Sequence, residues 1–490
     1  MGNTAKTLHD LGLKARSAVN PVISGLTVDS REVKEGTLFA ALPGTKVHGA
    51  EFIQYAVRMG AAAVLTDLQG AEIAKDVIGE VALVVTQDPR QALAYAAALW
   101  FEKQPATIVA ITGTNGKTSV ATFARMIWTE MDLAAVNLGT TGIEGAYTAP
   151  LMHTTPEPIT LHSSLAAAAE AGVTHAAMEA SSHGLEQRRL DGVRLLAAGF
   201  TNFTQDHLDY HDSFEAYFAA KEGLFSRVLA QDGTAVFNVE DPEVARAADL
   251  AKVRGQRCLT IGKRDRADLQ IRGQRFDATG QDLIFDFKGV RHSTRLNLIG
   301  GFQAENVLMA AALVIACGAK PEAVFETLPH LSTVRGRMEL AATRDNGATV
   351  FVDYAHTPDA VSTALKAMRP HVLGRLIAIV GAGGDRDMGK RELMGQAAAK
   401  AADIVFVTDD NPRSEDPAVI RKMVLRGAPE ATEVADRAEA ILRGVDALTP
   451  GDALLIAGKG HETGQTVGDT VFPFDDVEQA SVAVAALDGG

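Results

Sequence analysis

The sequence predicts an α/β protein of three domains built on mainly parallel sheets. Short β-branched runs alternate with longer alanine-rich helical runs along the whole chain. Most of the short runs end in polar or glycine-rich loops, the usual place for ligand sites at strand ends. A length of 490 residues exceeds one core at roughly one domain per ~150 residues.

In chain order, strands are read at AAAVLTD, VALVVT, ATIVAITG, AAGFTNF, TAVFNV, RLIAIVGAGG, DIVFVTDD and ALLIAGKG. A first break falls near FEKQPAT, where Pro105 follows a helix and precedes a strand, and a second near LSTVRGRME, after the helical stretch AENVLMAAALVIACG. The expected domains are 1–103, 104–335 and 336–490. No repeat, low-complexity tract or long charge run interrupts them.

Composition narrows the function classes. Apolar residues at 47% with 22% charged describe an ordinary soluble globular chain. A net charge of -14 argues against general affinity for nucleic acid or an anionic membrane, so an anionic substrate must be held by local cations. Cys258 and Cys317 cannot build a disulfide framework; they fit a reducing compartment and read as packing residues. The N-terminus lacks a signal-peptide core, Lys6 breaks a myristoylation pattern, and no apolar run reaches ~20 residues. The expectation is a cytoplasmic monomer without membrane insertion.

The strongest local signal is ATIVAITGTNGKTS followed by VATFARMIWTEM: a strand, a glycine turn and an amphipathic helix. Gly113, Thr114, Asn115, Gly116, Lys117, Thr118 and Ser119 then form a phosphate cradle, with backbone N–H groups and a helix dipole facing the anion. Lys117 is expected to reach the β- and γ-phosphates of a nucleotide, and the Thr118 hydroxyl to face Mg²⁺. Ile111 stands where the longer pattern has glycine, so this is its short form.

Two further stretches carry metal chemistry. Glu179 in HAAMEASSHGLEQRRL ends an apolar run, where a carboxylate serves a Mg²⁺ ion or its water, or is only solvated. His207, with Asp206 and Asp209, follows another strand; it is a second ligand or a structural histidine. In SFEAYFAAKEGLFSRVL, Phe214, Phe218, Phe225 and Val228 mark an apolar face shared with Lys221. An inward lysine snorkels, finds an anion or is neutralised. A neutral amine there could also add CO₂ and become a carbamate.

The stretch VTDDNPRSEDP reads first as a turn, since Pro412 presets φ and Asn411 and the acids bond to local backbone. If the C-terminal strands are parallel neighbours, loops carrying Arg386, Asp410 to Arg413, and Gly458 to Glu462 emerge at one sheet edge. Arginines there suit carboxylates, and Asp410 and Glu462 suit ammonium groups. GAGGDRD does not fit GxGxxG, so a hydride cofactor is not expected.

Taken in order, GTNGKTS, MEASSHGL, TNFTQDHLDYH, YFAAKEGLF, VRGRME, VDYAHTPDA and AGKGHE resemble the Mur ligases, ATP-dependent enzymes of peptidoglycan precursor synthesis. The resemblance covers essentially the whole chain. It implies a central ATPase domain flanked by an N-terminal UDP-substrate domain and a C-terminal Rossmann-like domain that binds the amino acid. It is greatest to the members that add the third stem-peptide residue. That implies ATP and Mg²⁺ as cofactors, with UDP-N-acetylmuramoyl-L-alanyl-D-glutamate and meso-2,6-diaminopimelate as partners, joined through an acyl phosphate and a tetrahedral intermediate.

Residue by residue, the resemblance gives Lys117, Glu179, His207 and Lys221 catalytic roles, the metals falling to Thr118, Glu179, His207 and carbamylated Lys221. Asn306, Arg337, Asp353 and His356 are implied at the nucleotide. Val28, Ser30, Thr154, Thr155, Ser181, Gln187 and Arg189 are implied at the UDP substrate. Arg386, Asp410, Asn411, Pro412, Arg413, Gly458 and Glu462 are implied at diaminopimelate, whose distal carboxylate would meet Arg413. Gln303 and His48 depart from residues common in the family. Rival readings are a lysine-adding ligase, a folylpolyglutamate synthetase and a nucleotide switch without ligase activity.

Overall fold

The computed structural model describes residues 6–17, 19–44, 47–204, 210–265 and 267–489. These fall into two compact units, one formed by Met1–Gly262 with Met309–Val324 and the other by Lys263–Leu308 with Phe325–Gly490. The expected α/β class is what forms, and all eight strands read above are present.

The first unit opens with a parallel four-stranded sheet, Gly25–Thr27, Thr37–Ala40, Ala63–Thr66 and Ala82–Val85, paired in chain order. Its strands bury both faces. Leu38 and Ala40 pack with Leu65 and Leu93 on one side, while Phe39 packs with Val64 and Ile53 on the other. That explains the short unbroken apolar runs of the sequence, which strict alternation would not produce.

The same unit holds seven further strands. Thr107–Thr112 lies between His175–Glu179 and Ala197–Phe200, all parallel. Thr234–Asn238 and Arg257–Gly262 extend one side, and Ala135–Gly139 with the antiparallel Gly142–Gly145 extend the other. Chain order reverses across Thr107–Thr112, because its sequence successor Ala135–Gly139 lies one strand away. Such a reversal opens a crevice at the carboxyl ends of the strands, and the glycine loop begins there.

In the second unit, Leu269–Asp277, Gly280–Phe287 and Val290–Leu296 form an antiparallel meander. A six-stranded sheet follows in the order Glu339–Thr343, Thr349–Asp353, Ala453–Ala457, Leu376–Val380, Ile404–Val407 and Thr432–Glu433, parallel except at the first strand. The meander escaped the sequence reading because its strands alternate apolar and charged residues instead of running apolar. Its charged face is held by pairs such as Arg272 and Arg291 on Asp286, at 2.7 and 3.0 Å, the cross-strand contacts that stabilise such sheets. Among the described residues, no helix is long and apolar enough to cross a membrane.

Candidate active site

The strand Thr107–Thr112 is buried from Ile108 to Thr112, and the glycine loop carries the chain from it into the helix Lys117–Glu130. Gly116 caps that helix at φ 85°, a left-handed conformation that glycine adopts without steric cost. The loop is braced from the neighbouring strand: the Asn115 N–H donates to Asn202 Oδ1 at 2.8 Å, and the Thr201 hydroxyl donates to the Asn115 carbonyl at 2.6 Å. Thr114 Oγ1 donates to the Thr204 carbonyl at 3.1 Å and lies 3.2 Å from the Tyr217 hydroxyl. The Lys117 ammonium is folded over the loop, donating to the carbonyls of Gly113 and Thr114 at 2.8 Å. Sequence reading passed over Thr201 and Asn202 as bracing residues, although both stand at the end of a strand it had recognised.

Glu179 ends the strand on the other side and is 2% exposed. Its Oε1 accepts from the Thr118 hydroxyl at 3.0 Å and from the Thr140 N–H at 2.8 Å. The solvated reading of Glu179 therefore fails. A buried hydroxyl and carboxylate side by side are the hard oxygen donors that suit Mg²⁺. His207, Asp206 and Asp209 lie outside the described residues, and among the described residues no three His, Cys, Asp or Glu groups cluster as a metal site.

Lys221 lies on the helix Phe214–Gly223 and is 1% exposed, which excludes snorkelling. Its ammonium donates to the Gly113 carbonyl at 2.8 Å and sits 4.6 Å from the centre of the Tyr217 ring. The buried face is Tyr217, Phe218, Lys221, Leu224 and Phe225, whereas Phe214 and Val228 are only half-buried. A π-helical turn at Leu224–Val228 re-phases the face, a wide turn common near functional sites. The regular step assumed from sequence could not anticipate it.

Of the residues implied at the UDP substrate, Thr155, Ser181, Gln187 and Arg189 form a linked set. The Thr155 hydroxyl donates to the Glu179 carbonyl and accepts from the Ser181 N–H, both at 3.0 Å. Arg189 donates to the Thr155 carbonyl at 2.6 Å and to Gln187 Oε1 at 2.8 Å. Val28, Gln187 and Arg189 line a cavity of about 130 Å³, together with Arg90 and Glu157, which sequence reading did not single out. Thr154 pairs hydroxyls with Thr140 at 3.1 Å, while Ser30 sits in a short turn and does not line the cavity. His48 serves the local fold, its Nδ1 accepting from the Ala50 N–H at 3.0 Å and its Nε2 lying 3.2 Å from Asp67.

In the second unit, Gln303 Oε1 accepts from Asn306 at 3.1 Å and fixes that amide. Arg337 lies over the Tyr354 ring at 4.6 Å, and the Met338 N–H donates to Asp353 at 2.7 Å. Burial pushes the Asp353 carboxyl up, against the pull of Arg337. His356 Nδ1 lies 2.8 Å from the Tyr354 carbonyl.

The C-terminal strands are parallel neighbours, so the loops after Leu376–Val380, Ile404–Val407 and Ala453–Ala457 do share one sheet edge. Arg413 takes φ 52°, bonds the Gly384 carbonyl through Nη1 at 2.8 Å, and is tied through its N–H to the Thr466 carbonyl at 3.0 Å. Asn411 donates to Glu462 Oε2 at 2.8 Å. A side chain at Gly458, φ 118°, would put Cβ 2.5 Å from Asp410 Oδ2, so this close approach requires glycine. Arg386 is exposed and bonds the Asp385 carbonyl at 3.4 Å, and Pro412 is buried at the bend. Burial and then Glu462 push the Tyr354 phenol up, which places Tyr354 among these groups. Sequence reading gave no role to Tyr354 or Lys459, although a lysine between two glycines after a strand was a visible signal.

Comparison with known proteins places this arrangement. Three family models match: "Mur ligase family, catalytic domain" at residues 22–103, "Mur ligase middle domain" at 111–314, and "Mur ligase, glutamate ligase domain" at 336–460. The UDP-N-acetylmuramoyl-L-alanyl-D-glutamate–2,6-diaminopimelate ligase of Caulobacter vibrioides is 48% identical over 99% of both chains. The ligase of the same name from Bradyrhizobium diazoefficiens is 48% identical over 95% of both. A solved structure of an enzyme of that name, 32% identical, covers 99% of both chains with a TM-score of 0.73. With the three matched domains in order along a braced glycine loop and a three-loop C-terminal edge, the chain belongs to the Mur ligase family.

Proposed function

We propose that this chain is an ATP-dependent amide ligase that adds meso-diaminopimelate to UDP-N-acetylmuramoyl-L-alanyl-D-glutamate in cytoplasmic peptidoglycan precursor synthesis. The observation that carries the choice of amino acid is the C-terminal sheet edge. The Arg413 guanidinium and the Asp410 carboxylate come there on one loop and the Glu462 carboxylate on another, so a ligand bearing both a carboxylate and an ammonium is suited at both ends. L-lysine lacks the distal carboxylate that Arg413 would hold.

In the reaction, the D-glutamyl carboxylate attacks the γ-phosphorus of ATP, giving an acyl phosphate and ADP. The free amine of diaminopimelate then attacks the acyl carbon, and the tetrahedral intermediate expels phosphate as the amide forms. Lys117, with the N–H groups of Gly113 to Ser119 at the helix start, binds the phosphates and balances charge that grows in the transition state. Mg²⁺ held by the Thr118 and Glu179 oxygens would supply further neutralisation of the phosphate oxygens, and His207 is a further ligand in this reading. Asn306, Arg337, Asp353 and His356 bind the nucleotide. Val28, Ser30, Thr154, Thr155, Ser181, Gln187 and Arg189 orient the UDP substrate, and Arg386 and Gly458 complete the amino-acid site. The domain limits 1–103, 104–335 and 336–490 belong to the same reading.

Lys221 and Lys117 both donate to the Gly113 carbonyl. In its neutral form the buried Lys221 amine would add CO₂, releasing a proton and leaving a carbamate anion. The test of the whole reading is phosphate release from ATP. It is expected only with the UDP-dipeptide and meso-diaminopimelate together, and L-lysine in competition should leave it unaffected. Equal turnover with L-lysine overturns the choice of amino acid, and turnover with neither overturns the ligase.

A further inference from the structure

Lys459 stands at the C-terminal edge with no exposed surface. A buried ammonium is tolerated only where its three N–H donors are met. Here three acceptors meet it: Asn411 Oδ1 and Glu462 Oε2, each at 3.3 Å, and the Gly464 carbonyl. With its donors engaged by the protein, Lys459 has no capacity left for a ligand. Its bonds instead join three pieces of backbone: the loop after Ile404–Val407, the loop after Ala453–Ala457, and the hairpin Gly464–Val467 with Thr470–Pro473.

That hairpin also holds Arg413. The Arg413 N–H donates to the Thr466 carbonyl at 3.0 Å, and the Gly468 N–H donates to the Arg413 carbonyl at 2.7 Å. The Thr466 N–H donates to Asn411 Oδ1 at 2.9 Å, the atom that also accepts from Lys459. Asn411 and Lys459 both bind Glu462 through Oε2, which leaves Oε1 of this part-exposed carboxylate to face an ammonium. One buried cation is thus bonded to the carboxylate and, through Gly464 and Asn411, to the backbone that carries the guanidinium.

We propose that Lys459 is a positioning residue for amino-acid selection: it fixes the spacing between Glu462 and Arg413, and so the length of amino acid that spans the pocket. This rests on reading that edge as the diaminopimelate site. Lys459→Met removes a charge-assisted hydrogen bond to Glu462, and KM for meso-diaminopimelate should rise by about 10- to 100-fold. KM for ATP and for the UDP-dipeptide should stay within about twofold, and preference for meso-diaminopimelate over L-lysine should fall. Because Lys459 acts through Glu462, adding Lys459→Met to Glu462→Gln should raise KM much less than it does alone, the signature of coupled residues. Lys459→Gln, which keeps a donor, replaces Lys459→Met if that variant does not fold. An unchanged KM for meso-diaminopimelate, a parallel rise in all three KM values, or additivity with Glu462→Gln overturns the proposal. Absence of turnover by the unaltered enzyme with meso-diaminopimelate instead overturns the reading on which it rests.

Discussion

The glycine loop and the C-terminal edge are both built at the carboxyl ends of parallel strands, yet they are made rigid by opposite means. The loop is one continuous segment, held by its own helix start and by hydrogen bonds from Thr201 and Asn202. The edge is assembled from distant segments and kept in place by buried ion pairs. Arg437 and Asp476 are both almost fully buried and paired at 2.7 Å, and Arg437 also donates to the carbonyls of Ala457 and Asp409 at 3.0 and 3.3 Å. Those carbonyls lie at the roots of two of the three loops. Burial opposes charge on Arg437, but Asp476, with Asp410 and Glu462 nearby, holds the guanidinium pKa up. A local site needs local chemistry, whereas a dispersed one depends on its scaffold.

The largest effect should come from breaking that scaffold. Asp476→Ala leaves the Arg437 charge buried without its partner, a change that costs about 3–5 kcal/mol. Urea denaturation should show the loss, and KM for the amino acid should rise with it while nucleotide binding is retained. If stability falls but that KM stays put, the two loops do not depend on Arg437. Next, Lys117→Met should lower kcat by about 10²- to 10³-fold, as for removal of one transition-state donor. Here the denaturation midpoint should hardly move, because the Lys117 ammonium bonds carbonyls of its own loop. A fall in stability as large as that of Asp476→Ala would erase the contrast.

The contrast also explains how much could be read from sequence. Strand, Gly113 to Ser119 and helix are contiguous, so their arrangement was legible as written. Arg413, Asn411 and Glu462 were legible as candidates, but their convergence needed the strand order, which a single sequence does not contain. Lys459, Tyr354 and Arg437 were passed over because a buried cation or phenol is recognised by its partners, and those are far away in the chain. The charged meander Leu269–Leu296 was missed because its strands alternate apolar and charged residues instead of running apolar, and the π-helical turn at Leu224–Val228 because it departs from the regular helical period.

The first unit carries its own acid sensitivity. His162 is 1% exposed, and burial pushes its pKa down to about 4 from 6.5, with Arg194 adding to the effect. The folded state therefore binds its proton less readily than the unfolded one. Its contribution is fully present above pH 6.5 and is lost as the pH falls towards 4. The loss amounts to about 3 kcal/mol once the pH is below both values. Urea titrations at about pH 7.5 and about pH 4.5, on either side of most of that window, should show it. His162→Leu should flatten this part of the difference. An unchanged pH dependence in His162→Leu would remove the histidine as its source.

The smallest effect is the most selective, and it depends on choosing the right substitution at Arg413. At φ 52° arginine and alanine carry the same Cβ strain, so alanine removes only the guanidinium, while glycine would also relieve the backbone and confuse two causes. Arg413→Ala therefore tests the side chain alone, preserving the N–H bond to Thr466 and the carbonyl bond from Gly468. It should raise KM for meso-diaminopimelate about 10- to 100-fold, the scale of one charge-assisted contact, with KM for ATP unchanged. L-lysine, which offers no distal carboxylate, should be used no worse than before. If both amino acids lose equally, Arg413 shapes the bend without reading the ligand. If ATP is affected as much, the two sites are not the separate devices that their construction implies.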